Sequence, residues 1–410
     1  MRTGADRKLD FRLSQTARWL SDQPVKNGSV IIAGGGIGGL AAGLALHRCG
    51  FEVRVVERAP IISEVGAGLA VFSNACRAMA ALGEAGKIDR FGTPFHRGIF
   101  GRPDGKVLGG IDLRKWGSGF MPSRIVRRAD LQRVLLNAIP PGIVETGAET
   151  TGVDFETARP TVHLADGRRL SADLVVGADG FRSVVRKALW GETPVRYSGQ
   201  TCFRAIANFS ARETGWLGEI QGKGIRFGPC PIDAMRTYWW AAMNAPQGDR
   251  DDPIKRRDLL MARYAGWGFE IPEMIAAASP DSILRDDLVD RPPLPRWSRG
   301  AVTLLGDAAH PMLPNLGQGA CSAIEDGVVL ARCLRNASTI PQALMAYETE
   351  RIPRTTRLTS KSWQFGIMAR WTNPLLIRLR ELAFATTPDF VLRREFSWQV
   401  EYDAGEEPST

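Results

Sequence analysis

The most constraining feature of the chain is a glycine cluster set between a strand and a helix. Ser29-Val30-Ile31-Ile32-Ala33 is apolar and β-branched, Gly34-Gly35-Gly36-Ile37-Gly38-Gly39 follows at once, and Leu40 to Arg48 favours a helix. A second strand pattern, Glu52 to Val56, follows Gly50 and ends in Glu57, 23 residues after Gly34. This is a βαβ unit with G-x-G-x-x-G in its first turn. Gly34 makes the tight turn, Gly36 lets backbone approach a pyrophosphate, and Gly39 allows close packing of helix on strand, with Ile37 and Gly38 completing the loop. The phosphates sit on a helix N-terminus, where unpaired N–H groups and the dipole favour negative charge. Glu57 can accept hydrogen bonds from a ribose diol, which argues for an unphosphorylated adenosine ribose. The motif alone leaves FAD and NAD both open.

Bulk properties narrow the class. With 410 residues the chain can build two ordinary domains or one large core with a subsidiary one. Its six cysteines are scattered without a C-x-x-C pair and only four histidines accompany them, so neither a metal site nor a disulfide framework is expected. The net charge of +9 suits an anionic cofactor or substrate, and the arginines are too dispersed to form a nucleic-acid stripe. Residues 1–28 are charged throughout and read as a leader without a signal-peptide core, which points to the cytoplasm. No apolar run reaches the length of a membrane span, so no membrane insertion is expected.

Two further motifs narrow the cofactor. Asp173 to Gly177 reads as a buried strand ending in Ala178-Asp179-Gly180, followed by Ser183 and Arg186. Ala301 to Leu305 is another apolar strand, ending in Gly306-Asp307-Ala308-Ala309-His310-Pro311. Pro314-Asn315-Leu316-Gly317-Gln318-Gly319-Ala320-Cys321 then opens a helical pattern over Ser322 to Leu334, a second helix start suited to stabilising an anion.

In this order and spacing the three motifs resemble those of the FAD-dependent aromatic hydroxylases of the p-hydroxybenzoate hydroxylase fold, nearest to the salicylate hydroxylase-like branch, over about Ser29 to Tyr402. The resemblance implies an α/β fold: a Rossmann-like FAD-binding domain with an inserted β-sheet substrate domain and C-terminal helices. The expected FAD-binding segments are 29–72, 121–190 and 285–345, the substrate-binding segments 73–120 and 191–284, and the C-terminal segment 346–410. FAD is expected to bind non-covalently, with NAD(P)H as transient co-substrate. Gly34, Gly36 and Gly39 would line the pyrophosphate, and Glu57 and Arg58 the adenosine ribose. Gly66-Ala67-Gly68 would pass near the flavin, and Arg128 would contact FAD. Asp179 and Gly180 match a motif implicated in FAD and NAD(P)H binding. Asp307 would hold the ribitol, and Pro314 and Gly317 to Cys321 would face the isoalloxazine. The implied chemistry is oxygen transfer through a flavin 4a-hydroperoxide to an aromatic or heteroaromatic ring, by hydroxylation or oxidative decarboxylation. An epoxidase or Baeyer-Villiger-type oxygenase acting on a polyketide or isoprenoid is the alternative on the same scaffold, and a non-catalytic FAD-sequestering protein the alternative of another class.

The substrate side is less legible. Gln200 to Phe209, Gly224 to Gly228 and Arg236 to Met243 read as strands, joined in one sheet by the segment from Leu69 to Phe120. Tyr238 and Trp240 share one face of their strand, Thr237 and Trp239 the other, and either face could line an aromatic pocket. Arg204 is expected to orient an acidic aromatic through its guanidinium, with Tyr238 and Asn315 as further candidates for substrate contact. His310 is expected to be a structural hydrogen-bonding residue in its turn. The basic and apolar stripe from Tyr347 to Phe384 is expected to pack on the domain or to form a homodimer contact, interrupted at Pro374, with a membrane-surface helix as the alternative reading.

Overall fold

A computed structural model describes residues 28–62, 68–116, 123–157, 159–212 and 215–406. The expected leader therefore lies outside the described residues apart from Gly28, as do Gly66 and Ala67.

The fingerprint builds the centre of the first layer. Strand β1 (Ser29–Ala33) is flanked by β2 (Glu52–Glu57) and β12 (Leu174–Gly177), with β8 (Val144–Thr146) and β18 (Val302–Leu304) at the edges, in the order β18-β12-β1-β2-β8 and all parallel. Burial on both faces explains the near-continuous apolar runs in β1 and β12. Helices α1 (Ile37–Arg48) and α7 (Gly319–Asn336) pack against each other beside this sheet. A Cβ on Gly327 would come within 2.7 Å of the Ala42 backbone nitrogen, so their close approach depends on small residues.

The second large sheet has seven strands in the order β17-β13-β16-β15-β14-β5-β6, formed by β5 (Arg97–Gly101), β6 (Val107–Asp112), β13 (Arg196–Ala207), β14 (Trp216–Gln221), β15 (Ile225–Pro231), β16 (Thr237–Asn244) and β17 (Leu284–Asp290). Two three-stranded sheets complete the β structure: β3 (Gly68–Val71), β7 (Ser123–Arg127) and β4 (Thr93–Phe95), and the excursion β9 (Thr150–Asp154), β10 (Thr161–Leu164) and β11 (Arg169–Ser171). The remaining helices used below are α2 (Ser73–Ala81), α3 (Arg128–Ala138), α4 (Val184–Trp190), α5 (Arg256–Arg263), α6 (Ile271–Ala276), α8 (Ile340–Ala369), α9 (Pro374–Thr386) and α10 (Asp389–Val400).

Three expectations need correction. The expected boundary at 285 falls inside β17, which pairs with β13, so the substrate sheet runs on to Asp290. Residues 73–81 belong with the first layer, because α2 buries its alanines and Met79 against α7 rather than against the large sheet. Among the described residues of the segment from Leu69 to Phe120, β5 and β6 alone join the large sheet, since β3 and β4 pair with β7. In each case the partner is remote in sequence, and local patterning does not carry it.

Candidate active site

The glycines of the fingerprint divide by physical role. At Gly34, with φ +110°, any side chain would meet the Ala178 carbonyl, and a Cβ on Gly39 would collide with the Gly34 carbonyl itself. A Cβ on Gly38 would lie 2.7 Å from the Leu305 side chain. These positions are filled by protein. Gly36 is different: a Cβ there meets nothing within 4 Å, and the same holds at Gly180 and Gly319. Gly36 caps α1 and Gln318 caps α7, neither with a side-chain hydrogen bond, so two helices begin with their first N–H groups uncapped beside open space. Ile37 is buried in the core, whereas Ala320 is only partly covered and Pro314 is exposed.

Charged groups line the same opening. Arg128 starts α3 and is exposed, and it makes no hydrogen bond or ion pair with a described side chain, although Asp307 lies near enough to act on its charge; its neighbour Asp130 is taken by Arg127 at 2.7 Å and Arg133 at 2.8 Å. Asp307 is exposed and likewise without a hydrogen-bond partner among the described residues. Protein nevertheless surrounds both: desolvation pushes the Asp307 carboxyl above its ordinary value against the opposing pull of His310 and Arg128. Desolvation also lowers the Arg128 guanidinium, with Asp307 opposing. Both groups are reached by solvent yet desolvated by the protein around them, as on the wall of a cleft.

Other expected site residues are already engaged. Glu57 accepts from the Gly35 N–H at 2.7 Å and the Ala59 N–H at 2.9 Å, so it holds the glycine loop. Gln132 assists by donating to the Gly35 carbonyl at 3.1 Å. Arg58 is exposed. Asp179 accepts from Ser183 Oγ at 2.5 Å and from the N–H groups of Val184 and Val185, and so caps α4. Gly317, with φ +66°, turns against the Phe72 ring, while Gln318 accepts from Asn74 at 2.9 Å and its Nε2 has no partner. The Cys321 Sγ lies 3.5 Å from the Ala70 carbonyl, and burial pushes its thiol up to about 12, which leaves it inert near neutrality.

The large sheet turns Tyr238 and Trp240 toward this cleft. Trp239 is fully buried on the opposite face, stacked on Phe227 at 5.5 Å above Leu260 of α5, Tyr264 just beyond it, and Ile271 and Met274 of α6. On the cleft side Tyr238 packs against Gly68, and burial pushes its phenol well above the ordinary value. Arg204 pairs with Asp286 and sits on this face opposite Trp240. Arg226, 2% exposed, donates to Glu219 at 3.1 Å and to Asn315 Oδ1 at 2.5 Å, and lies over the Trp240 ring at 5.1 Å. Asn315 in turn donates to the Ser362 carbonyl at 2.8 Å. Its amide therefore braces the 314–317 loop between the sheet and α8.

A buried ionic network behind α7 is absent from the sequence reading. Glu325 and Asp326 are fully buried and meet Arg351 at 2.7 Å each; Arg354 adds a 2.8 Å pair to Glu325, and Asn74 donates to Glu325 at 2.5 Å. His310 is locked to Asp326 at 2.6 Å, the structural role expected of it. Two acids in the apolar middle of a helix, matched by arginines three apart at 351 and 354, are the signal that could have revealed this network. Burial alone would raise Asp326, but His310, Arg351 and the Gly306 N–H overcome it and hold the carboxyl at about 2. A depressed folded-state pKa adds stability above the ordinary value of 3.8, and that stability is lost as pH falls from about 4 to about 2. The expected contribution is about 2 kcal/mol. Acid unfolding followed by circular dichroism should be steep in that window, and Asp326→Asn should flatten it.

The FAD binding domain family matches residues 27–362. The chain belongs to the FAD-dependent monooxygenases. It is 39% identical to the aurachin C monooxygenase/isomerase of Stigmatella aurantiaca over 86% of this chain and 92% of that protein. It is 31% identical to the 2-heptyl-3-hydroxy-4(1H)-quinolone synthase of Pseudomonas aeruginosa over 89% and 96%. Among solved structures it resembles Klebsiella pneumoniae HpxO complexed with FAD and uric acid, with TM-score 0.85, 29% identity, and coverage of 91% of this chain and 96% of that one. The cleft of this monooxygenase fits FAD: the open glycines at two uncapped helix starts suit a pyrophosphate and a flavin edge, and Arg128 and Asp307 are a cation and a hydroxyl acceptor that make no hydrogen bond among the described residues. No helix among the described residues is long and apolar enough to cross a membrane.

Proposed function

We propose that the enzyme hydroxylates an uncharged nitrogen heteroaromatic, taking electrons from NADH or NADPH in the cytoplasm and one oxygen atom from O2. The balance is one hydride and one proton consumed with each O2, one oxygen atom entering the ring C–H bond and the other leaving as water. Bound FAD supplies electron carriage and oxygen activation. The chain's own part is placement: the α1 and α7 N-termini and Arg128 would hold the anionic parts of the cofactor, Asp307 its ribitol hydroxyls, and the large sheet would exclude water above the ring.

The observation that carries the substrate charge is the pairing of cations on the cleft face. Arg204 already has a carboxylate partner in Asp286, and Arg226 has Glu219 and the Asn315 amide, so a substrate carboxylate would have to compete for either guanidinium, each of which keeps a buried Nε–H without a partner among the described residues. Tyr238, Trp240 and Ile206 offer apolar and aromatic surface instead. The quinolone named for the Pseudomonas relative and the uric acid bound to HpxO support a nitrogen heterocycle.

The test is reductant oxidation by the FAD-loaded enzyme with a panel of 4-quinolones, purines and benzoates, paired with mass analysis. Neutral heterocycles should stimulate oxidation and gain one oxygen, and Arg204→Ala should keep KM within about threefold, since it removes no substrate salt bridge. Preferential turnover of benzoates, or a large rise in KM for them in Arg204→Ala, would overturn the proposal and restore the acid-orienting role expected from the sequence.

A further inference from the structure

Helix α9 is inverted relative to an ordinary surface helix. Leu375, Leu379 and Leu382, at positions i, i+4 and i+7, are 71%, 60% and 58% exposed, and Leu376 flanks them. The inward face carries the charge. Arg380 is 2% exposed and donates to the Gly222 carbonyl at 3.1 Å and the Met368 carbonyl at 3.3 Å, while Glu381 turns to Arg102 at 3.4 Å. Phe384 stacks on Phe100 of β5 at 4.3 Å and anchors the helix to the cleft-side face of the large sheet. The helix is thus fixed in place with its leucines outward. Of the 14 large apolar side chains exposed among the described residues, six lie between Ile367 and Phe390.

The charge around this patch is predominantly positive, although Asp389 at the start of α10 is an exposed carboxylate beside Phe390. Arg378 is exposed on α9, whose sole carboxylate is the inward Glu381. Just beyond, α10 exposes Phe390 with Arg393 and Arg394 three and four residues later, on the same side of that helix. The neighbouring Glu395 is paired with Lys361. Leucines and a phenylalanine flanked by arginines that make no ion pair among the described residues complement an apolar surface that carries anions.

We propose that α9 and the start of α10 dock this enzyme on the surface of an anionic phospholipid bilayer, with Leu375, Leu379, Leu382 and Phe390 in the acyl boundary and Arg378, Arg393 and Arg394 among the headgroups. The helix lies in the interface and does not span it. This inference rests on the surface alone and stands apart from the identity of the substrate.

The test is co-sedimentation of the FAD-loaded enzyme with vesicles of phosphatidylcholine containing roughly one-third phosphatidylglycerol, against phosphatidylcholine alone. The wild type should pellet with the anionic vesicles. Binding should fall by about tenfold in Arg378→Glu, and by about 100-fold in the Leu379→Ser/Leu382→Ser double variant. Flavin absorbance and Tm should be unchanged in both, because these side chains contribute little to the fold. Failure of the wild type to pellet, or equal pelleting of the double variant, would overturn the proposal. A dimer that light scattering shows splitting in the double variant, with no vesicle binding by the wild type, would assign the face to a second copy of the chain instead.

Discussion

Gly36→Val should abolish flavin binding while leaving the apoprotein folded, and Gly39→Val should destroy both. The two positions lie three residues apart in one loop, and a sequence motif treats them alike. Their surroundings are opposite. At Gly36 a Cβ points into open space at the uncapped start of α1, so a valine can be accommodated by the protein and displaces only what the cleft would hold. A phosphate kept off the helix terminus forfeits the N–H contacts and dipole stabilisation that the terminus offers. FAD affinity should fall by at least about 100-fold, roughly 3 kcal/mol. Gly39 faces the carbonyl of Gly34, which sits in a turn only glycine readily adopts, and the turn would have to open to admit any side chain. Flavin fluorescence titration and apoprotein Tm separate the two outcomes. A Gly36→Val protein that retains bound FAD would place the pyrophosphate elsewhere.

Arg351→Met should cost about 3–5 kcal/mol of stability, the largest single effect expected outside the glycine loop. Arg351 is fully buried between Glu325 and Asp326, and its removal leaves two carboxylates in the core with Arg354, His310, Asn74 and the Gly306 N–H to answer them among the described residues. The cost comes from leaving charge uncompensated. Neutralising the carboxylates at the same time, in Arg351→Met/Glu325→Gln/Asp326→Asn, should therefore recover part of the loss. Denaturant unfolding of the apoproteins measures both values, and an unchanged midpoint in the single variant would refute the argument. The network also fixes α7, since Asn74 bridges Glu325 to Gln318 at the helix start. The single variant should accordingly bind FAD more weakly than its stability loss alone accounts for.

Much of the cofactor half was legible because its signals are local. A strand, a glycine turn and a helix start occupy consecutive residues, and steric exclusion at Gly34 and Gly39 acts within the loop or on the adjoining strand end. The bounds of β1 and β2 follow the apolar pattern for the same reason, and α7 begins at the glycine pair where the loop motif ends. The substrate half was less legible because alternation along a strand defines two faces without naming the inner one. The alternation treats the Tyr238 and Thr237 faces alike, and it is α5 and α6, by covering the Trp239 side, that separate them.

The sequence by itself determined the nucleotide-binding layer, the order of its motifs and three strands of the large sheet, β13, β15 and β16, since each depends on backbone geometry and short-range periodicity. Only the tertiary structure decided that Arg204 is matched by Asp286, 82 residues away, that Asn315 is held by the buried Arg226, that Glu325 and Asp326 share Arg351, and that α9 carries its leucines outward. Each of those outcomes is a contact between distant segments. The sign of a charge and the apolarity of a face are written in the chain, but what meets them is settled by how the layers close.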